Sequence, residues 1–177
     1  PYEVIVIHDN FDIYLLNELS KFDENIKTLT KNNCDLASDR YIAVEMASSE
    51  IVLFLDADYQ MLPDRIEFQG RFMLESPDIG LSYGAVNDDC FTEYHDTVTF
   101  DSFSSHEIQF TVINDAYRRL LDFDMFAPIA TAIRREIYLE AVEKSSKHNI
   151  AEDYAMCISI GKIANIAWSK KTLNKHT

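Results

Sequence analysis

Apolar runs broken by polar turns divide the chain into alternating strand-like and helix-like segments. Tyr2-Glu3-Val4-Ile5-Val6-Ile7-His8 is nearly continuous in apolar content, as expected of a strand in a sheet covered on both faces. Residues 11–22 place Ile13, Leu16, Leu19 and Phe22 near helical spacing, and Ile26 to Leu29 reads as a short strand before the polar loop Thr30 to Asp35. Leu36 to Ala47 sets Leu36, Ala43, Val44 and Ala47 along one helix face. The run 51–55 is a buried strand, and Pro63 then opens a helix whose buried stripe is expected to be Leu62, Ile66 and Met73. Ile79 to Val86 is the next strand. The order β-α-β-α-β-α-β predicts a parallel, doubly wound sheet.

Beyond residue 86 the pattern changes. Residues 87–113 are polar and aromatic, with short alternating runs at Tyr94 to Phe100 and Ile108 to Ile113 that suit antiparallel strands or a long ordered loop. Helices are predicted over 115–123, Arg135 to Glu143 and Ala151 to Gly161, with strands at Ala130 to Ile133 and Ile163 to Trp168. No repeat, low-complexity tract or linker interrupts the chain. The expectation is one three-layer α/β/α domain over 1–177, mostly parallel, with a small antiparallel portion. Its halves are 1–86 and 87–177.

One strand ends in chemistry. Ile51-Val52-Leu53-Phe54-Leu55 is followed directly by Asp56-Ala57-Asp58. Ligands of α/β proteins bind beyond the carboxyl ends of the strands. Two carboxylates one residue apart at that edge are hard oxygen donors that suit Mg²⁺ or Mn²⁺, with phosphates completing the shell. An acidic turn after a strand is the competing reading of the motif taken alone.

Charge and cysteine content narrow the partners. The 177 residues carry 30 acidic against 16 basic side chains, a formal charge of −14. Such a surface repels nucleic acid and anionic membrane faces, so a bound phosphate needs a cation or a local basic residue. Cys34, Cys90 and Cys157 are scattered, with no zinc spacing, and read as isolated thiols in a reducing compartment. His8, His95, His106, His148 and His176 form no cluster. No segment approaches the roughly 18 apolar residues of a membrane span, and the start lacks the basic region of a signal peptide. A start at Pro1 rather than Met is what a fragment or trimmed chain would show.

Three blocks in fixed order carry a resemblance: the strand ending His8-Asp9-Asn10, the strand ending Asp56-Ala57-Asp58 before Leu62-Pro63-Asp64, and the helix opening Glu152-Asp153-Tyr154. Asp39 to Ala47, with Arg40, resembles the family's Ala-Arg-Asn helix, and Pro77 to Gly84 its next strand. Together they resemble the inverting, family 2 type of GT-A nucleotide-sugar glycosyltransferases over nearly the whole chain. The resemblance implies a GT-A fold and transfer of one sugar from an NDP-sugar, UDP foremost, to a hydroxyl of a saccharide or lipid-linked acceptor. It implies Mn²⁺ or Mg²⁺ held by Asp58, Asp56 on the ribose or donor sugar, Asp9 on the base edge, and Arg40 on the base or phosphates. Asp153 would be the general base, with Glu152 beside it at the acceptor. His176 would approach the metal or diphosphate, and Lys170, Lys171 and Lys175 would help neutralise the diphosphate. Surface polysaccharide or glycoconjugate synthesis, in the cytoplasm or peripherally at the inner membrane face, is the setting expected.

Departures are equally specific. The family's Pro-x-Tyr-Asn strand is not found before Tyr2, Asp-Asp-Gly-Ser has become His8-Asp9-Asn10-Phe11, and Ser159 stands where relatives place an Arg. No Gln-x-x-Arg-Trp motif occurs, so a non-processive enzyme is expected. A non-catalytic GT-A-like binding domain of a larger protein is the alternative. A nucleotidyltransferase lacks its Gly-rich basic loop here, and a two-metal phosphatase or nuclease lacks clustered histidines. Acceptor choice is expected in residues 87–128, where Phe91, Tyr94, Phe100, Phe103 and Phe110 either stack on sugars or fill the core.

Overall fold

The computed structural model describes residues 2–9, 13–22, 25–31, 36–86, 101–105, 108–113, 115–122, 130–144 and 152–177. Contacts group them into two compact units, Pro1–Glu50 and Ile51–Thr177. The expected division at 86/87 falls inside the second unit.

In the first unit, β1 (Val4–Asp9) and β2 (Ile26–Lys31) run parallel, from Val4 opposite Ile26 to Asp9 opposite Lys31. They are joined through α1 (Ile13–Leu19), and α2 (Leu36–Met46) packs against β1. Glu3 fastens this arrangement. Its Oε1 accepts from the Ser48 amide at 2.6 Å, the Ser48 hydroxyl at 2.7 Å and the Ser49 amide at 3.2 Å, while Oε2 takes the Lys27 ammonium at 2.6 Å. One carboxylate thus accepts from two backbone amides of the segment that leaves α2.

The second unit is built on a seven-stranded sheet among the described residues. Its strands are β3 (Ile51–Leu53), β4 (Tyr59–Met61), β5 (Ile79–Val86), β6 (Asp101–Ser105), β7 (Ile108–Ile113), β8 (Thr131–Arg134) and β9 (Asn165–His176). The order is β3-β8-β5-β9-β7-β6, with β4 paired to β9. The helices are α3 (Arg65–Glu75), α4 (Ala116–Asp122), α5 (Arg135–Lys144) and α6 (Glu152–Gly161). The α/β class is as expected, but the sheet is mixed. β5 and β9 are parallel, while the β3/β8, β5/β8, β7/β9, β6/β7 and β4/β9 pairs are antiparallel. Periodicity reports burial and not strand direction, so the expected mostly parallel order overstated the parallel share of this unit.

Phe72, Met73, Ile79, Phe110, Ala132 and Ala167 form the central core cluster. Phe110 stacks on Phe72 with ring centroids 3.9 Å apart and on Phe68 at 4.8 Å, which assigns it to packing rather than to a sugar platform. Phe91, Tyr94, Phe100 and the side chain of Phe103 lie outside the described residues.

Several local expectations are corrected. β3 stops at Leu53: Phe54 is buried against Tyr138, and Leu55 is 44% exposed, so the five-residue run is not one buried strand. Pro63 lies in the turn before α3, whose N-cap is Asp64. The buried face of α3 is Arg65, Gln69, Phe72 and Met73, while Ile66 is 49% exposed. β4 was not foreseen. β9 runs eight residues past Trp168 to His176, with bulges opposite Gly84 and Ala85. Gly84 is needed there, because a Cβ would stand 2.6 Å from Leu173 Cγ and 2.9 Å from the Lys171 carbonyl oxygen.

Candidate functional site

The acidic motif occupies the turn between β3 and β4. Ala57 and Asp58 form that turn, closed by the Tyr59 amide donating to the Asp56 carbonyl at 3.1 Å. β4 then pairs antiparallel with the end of β9, Tyr59 opposite His176, Gln60 opposite Lys175 and Met61 opposite Asn174. This register brings Asp58 to His176 across 118 residues of sequence. The imidazole Nε2 lies 3.7 Å from the Asp58 carboxylate, and both side chains are more than half exposed. Thr177 closes the corner, its amide and hydroxyl donating to the Asp58 carbonyl at 3.1 and 2.9 Å. The Tyr59 ring meets the imidazole edge-on at 5.1 Å.

The histidine's other nitrogen decides what this pair can do. Nδ1 lies 3.1 Å from the Thr177 carbonyl oxygen, a contact that suits the tautomer with its proton on Nδ1. In the neutral ring, Nε2 then presents a lone pair toward a carboxylate oxygen. In that state a cation between the two acceptors would be coordinated by both, whereas a protonated imidazole would pair with the carboxylate directly. Metal-bound histidines commonly donate their second ring N–H to a backbone carbonyl in this way. One carboxylate oxygen and one imidazole nitrogen are a donor set that Mn²⁺ accepts. The residues therefore fit a divalent cation. Among the described residues no group of three or more His, Cys, Asp or Glu converges on a point, so other ligands must complete such a shell.

A buried polar network lies behind this corner, and sequence reasoning missed it. Arg65 is fully buried; its guanidinium donates to Gln69 Oε1 at 2.8 Å, Asn174 Oδ1 at 2.8 Å and the Thr131 carbonyl at 2.9 Å. Gln69 Nε2 continues to the Ala130 carbonyl at 2.9 Å. Burial lowers the Arg65 pKa to about 10, which leaves it charged at neutral pH. Lys171, one of the three lysines of the predicted basic patch, pairs with Asp64 and lies 4.2 Å from the centre of the Phe68 ring. That pairing holds the Asp64 carboxyl below its usual range.

The other predicted residues are placed as follows. Asp9 ends β1 opposite Lys31 of β2. Lys31 bonds Asp39 Oδ1 at 2.5 Å and Ser38 Oγ at 3.1 Å, and Asp39 and Arg40 are buried on α2. His8, buried at the same strand end, lies 3.0 Å from the Thr30 hydroxyl. Glu152 and Asp153 begin α6, as the resemblance requires, and their side chains, like that of Asp9, lie outside the described residues. His176 was expected after the last strand and is in fact within it. No described helix is long and apolar enough to cross a membrane.

With this geometry in hand, comparisons fix the family. The model of glycosyl transferase family 2 matches residues 1–140. An uncharacterised glycosyltransferase of Rickettsia bellii is 31% identical over 109 residues, covering 59% of this chain and 16% of that protein. Another, from Rickettsia conorii, is 33% identical over 91 residues, 49% of this chain and 15% of that protein. The crystal structure of residues 1–349 of S. aureus TarS superposes with a TM-score of 0.68 at 16% identity, covering 99% of this chain and 51% of that one. A second TarS 1–349 structure, in complex with UDP-GlcNAc, gives 0.67 at 17% identity, covering 99% and 49%. The chain therefore spans about half the length of these structures and about a sixth of the curated relatives. The likeness to TarS shows a shared GT-A fold, and the match over 1–140, nearly four-fifths of the sequence, means that this chain belongs to glycosyl transferase family 2.

Proposed function

We propose that this chain carries the donor site of a metal-dependent, inverting glycosyltransferase that uses a nucleoside-diphosphate sugar, UDP foremost. The observation behind this reading is the Asp58–His176 pair, a carboxylate oxygen and an imidazole nitrogen 3.7 Å apart, with the other ring nitrogen turned to the Thr177 carbonyl. Asp58 and His176 would hold Mn²⁺ or Mg²⁺. A divalent cation there supplies Lewis-acid stabilisation of the charge that develops on the departing diphosphate. Asp56 would take the ribose or donor-sugar hydroxyls, Asp9 the base edge, and Arg40 the base or phosphates. At a net charge of −14, a bound diphosphate needs a local cation or basic residue, and a metal at this corner would supply the first.

Inversion requires attack on the anomeric carbon from the face opposite the diphosphate. Asp153 at the start of α6 would take the proton from the attacking hydroxyl, and Glu152 would help hold a saccharide or lipid-linked acceptor. The UDP-GlcNAc bound by a related fold supports a UDP-sugar as the first donor to try. The test is to incubate the chain with UDP-GlcNAc, Mn²⁺ and a panel of hydroxyl acceptors. UDP release is measured, together with the anomeric configuration of the product by proton NMR. A β-linked product from the α-linked donor, dependent on Mn²⁺, supports the proposal. An α-linked product refutes inversion, and turnover unaffected by chelator refutes the role given to the metal.

A further inference from the structure

The segment that leads from β4 into α3 is fastened to β9 at three points. The Leu62 amide donates to the Leu173 carbonyl at 2.9 Å, Asp64 pairs with Lys171, and Arg65 donates to Asn174 Oδ1 at 2.8 Å. Asn174 is itself opposite Met61 in the β4/β9 ladder, two residues before His176. Of these ties the Arg65 network is the one that packing alone does not explain. A buried guanidinium incurs a desolvation cost that an apolar side chain of similar volume avoids. Among the described residues it has no carboxylate partner; its hydrogen bonds go to Gln69, Asn174 and the Thr131 carbonyl, all neutral. Those three acceptors belong to α3, β9 and β8, so one planar donor group fixes three elements behind a single corner. Asn174 is fully buried, whereas the His176 side chain is 55% exposed.

We infer that Arg65 is a positioning residue: through Asn174 it holds the β4–β9 ribbon in the register that keeps His176 against Asp58. It touches no substrate. Its effect on donor binding rests on the proposed role of Asp58 and His176, whereas its effect on the ribbon does not. The removal of one charged hydrogen bond should loosen the ribbon locally, because segments of a protein open with their own free energies.

Hydrogen exchange read by mass spectrometry tests the ribbon, and Mn²⁺-dependent UDP binding tests the consequence. In Asn174→Leu, exchange should accelerate about tenfold or more over 57–62 and 172–177, with residues 2–50 unchanged. The Mn²⁺ concentration needed for UDP binding should rise about tenfold. Asn174→Asp keeps an oxygen acceptor for the guanidinium and should restore both readouts. Arg65→Met should behave like Asn174→Leu, and if it does not fold, the two Asn174 variants decide the matter. Unchanged ribbon exchange in Asn174→Leu overturns the inference, as does acceleration spread evenly over 51–177. A loosened ribbon with an unaltered Mn²⁺ requirement overturns the link to donor binding. Wild-type protein that binds no UDP with Mn²⁺ overturns the metal reading itself, leaving exchange alone to judge the ribbon.

Discussion

Glu3→Gln is the perturbation whose size and pH dependence the structure defines best. Glu3 accepts two amides, a hydroxyl and an ammonium, and these hydrogen bonds, led by those from Lys27 and Ser48, lower its pKa from 4.5 to about 2. A carboxyl whose folded pKa lies below its unfolded one adds stability above the unfolded value, and that stability is lost as pH falls through the folded value. The full shift would correspond to about 3–4 kcal/mol at about 1.4 kcal/mol per unit. The Lys27 side chain is 45% exposed, so solvent screens the pair, and the expected loss is about 1–2 kcal/mol at pH 7. The gap between wild type and Glu3→Gln should stay constant from pH 8 to about 5. It should shrink below pH 4.5 and be mostly closed by about pH 2, where the native carboxyl is itself half protonated. Urea unfolding followed through exchange-protected amides of residues 4–46 measures this gap locally, and the difference cancels the titration of the other carboxylates. A gap that is the same at pH 7 and pH 3, or that widens on acidification, would refute the reasoning.

Other substitutions test separate parts of the account. Gly84→Ala places a methyl 2.3 Å from Leu173 Cδ1 and 2.9 Å from a backbone oxygen, so it should cost about 1–3 kcal/mol, and an unshifted thermal midpoint would contradict the packing described. Asp153→Asn should lower turnover by about 10²- to 10⁴-fold while leaving donor affinity unchanged, as steady-state kinetics beside calorimetry would show; parallel loss of both would remove it as the base. His176→Ala should raise the Mn²⁺ requirement for nucleotide binding with little change in thermal stability, since its side chain is mostly exposed.

How far the sequence could be read depended on which physical signal each residue carries. The strand-to-acid transition at Leu53 to Asp58 was legible because an apolar run ends in carboxylates, and the start of α6 at Glu152 was legible as an acidic helix opening. β4 is three residues long, and the apolar-polar-apolar alternation of Tyr59-Gln60-Met61 is too short to announce a strand. The second half of β9 contains Ser169, Lys170, Lys171, Asn174 and Lys175, and only its pairing with β4 and β5 makes it extended. Arg65 and Gln69 defeated the helical stripe because polar residues at core positions satisfy one another, an arrangement visible only when β8 and β9 are in place. Strand direction across β8 was unreadable for the same reason, as burial patterns are identical in parallel and antiparallel neighbours.

The central claim is that Asp58 binds a nucleoside diphosphate through a divalent cation. It is tested most directly by calorimetric titration of wild type and Asp58→Ala with UDP, GDP, CDP and TDP, each with and without Mn²⁺. The account predicts that UDP binds wild type only when Mn²⁺ is present and does not bind Asp58→Ala, with the other nucleotides weaker. Metal-independent binding, or equal affinity in the two proteins, would contradict it.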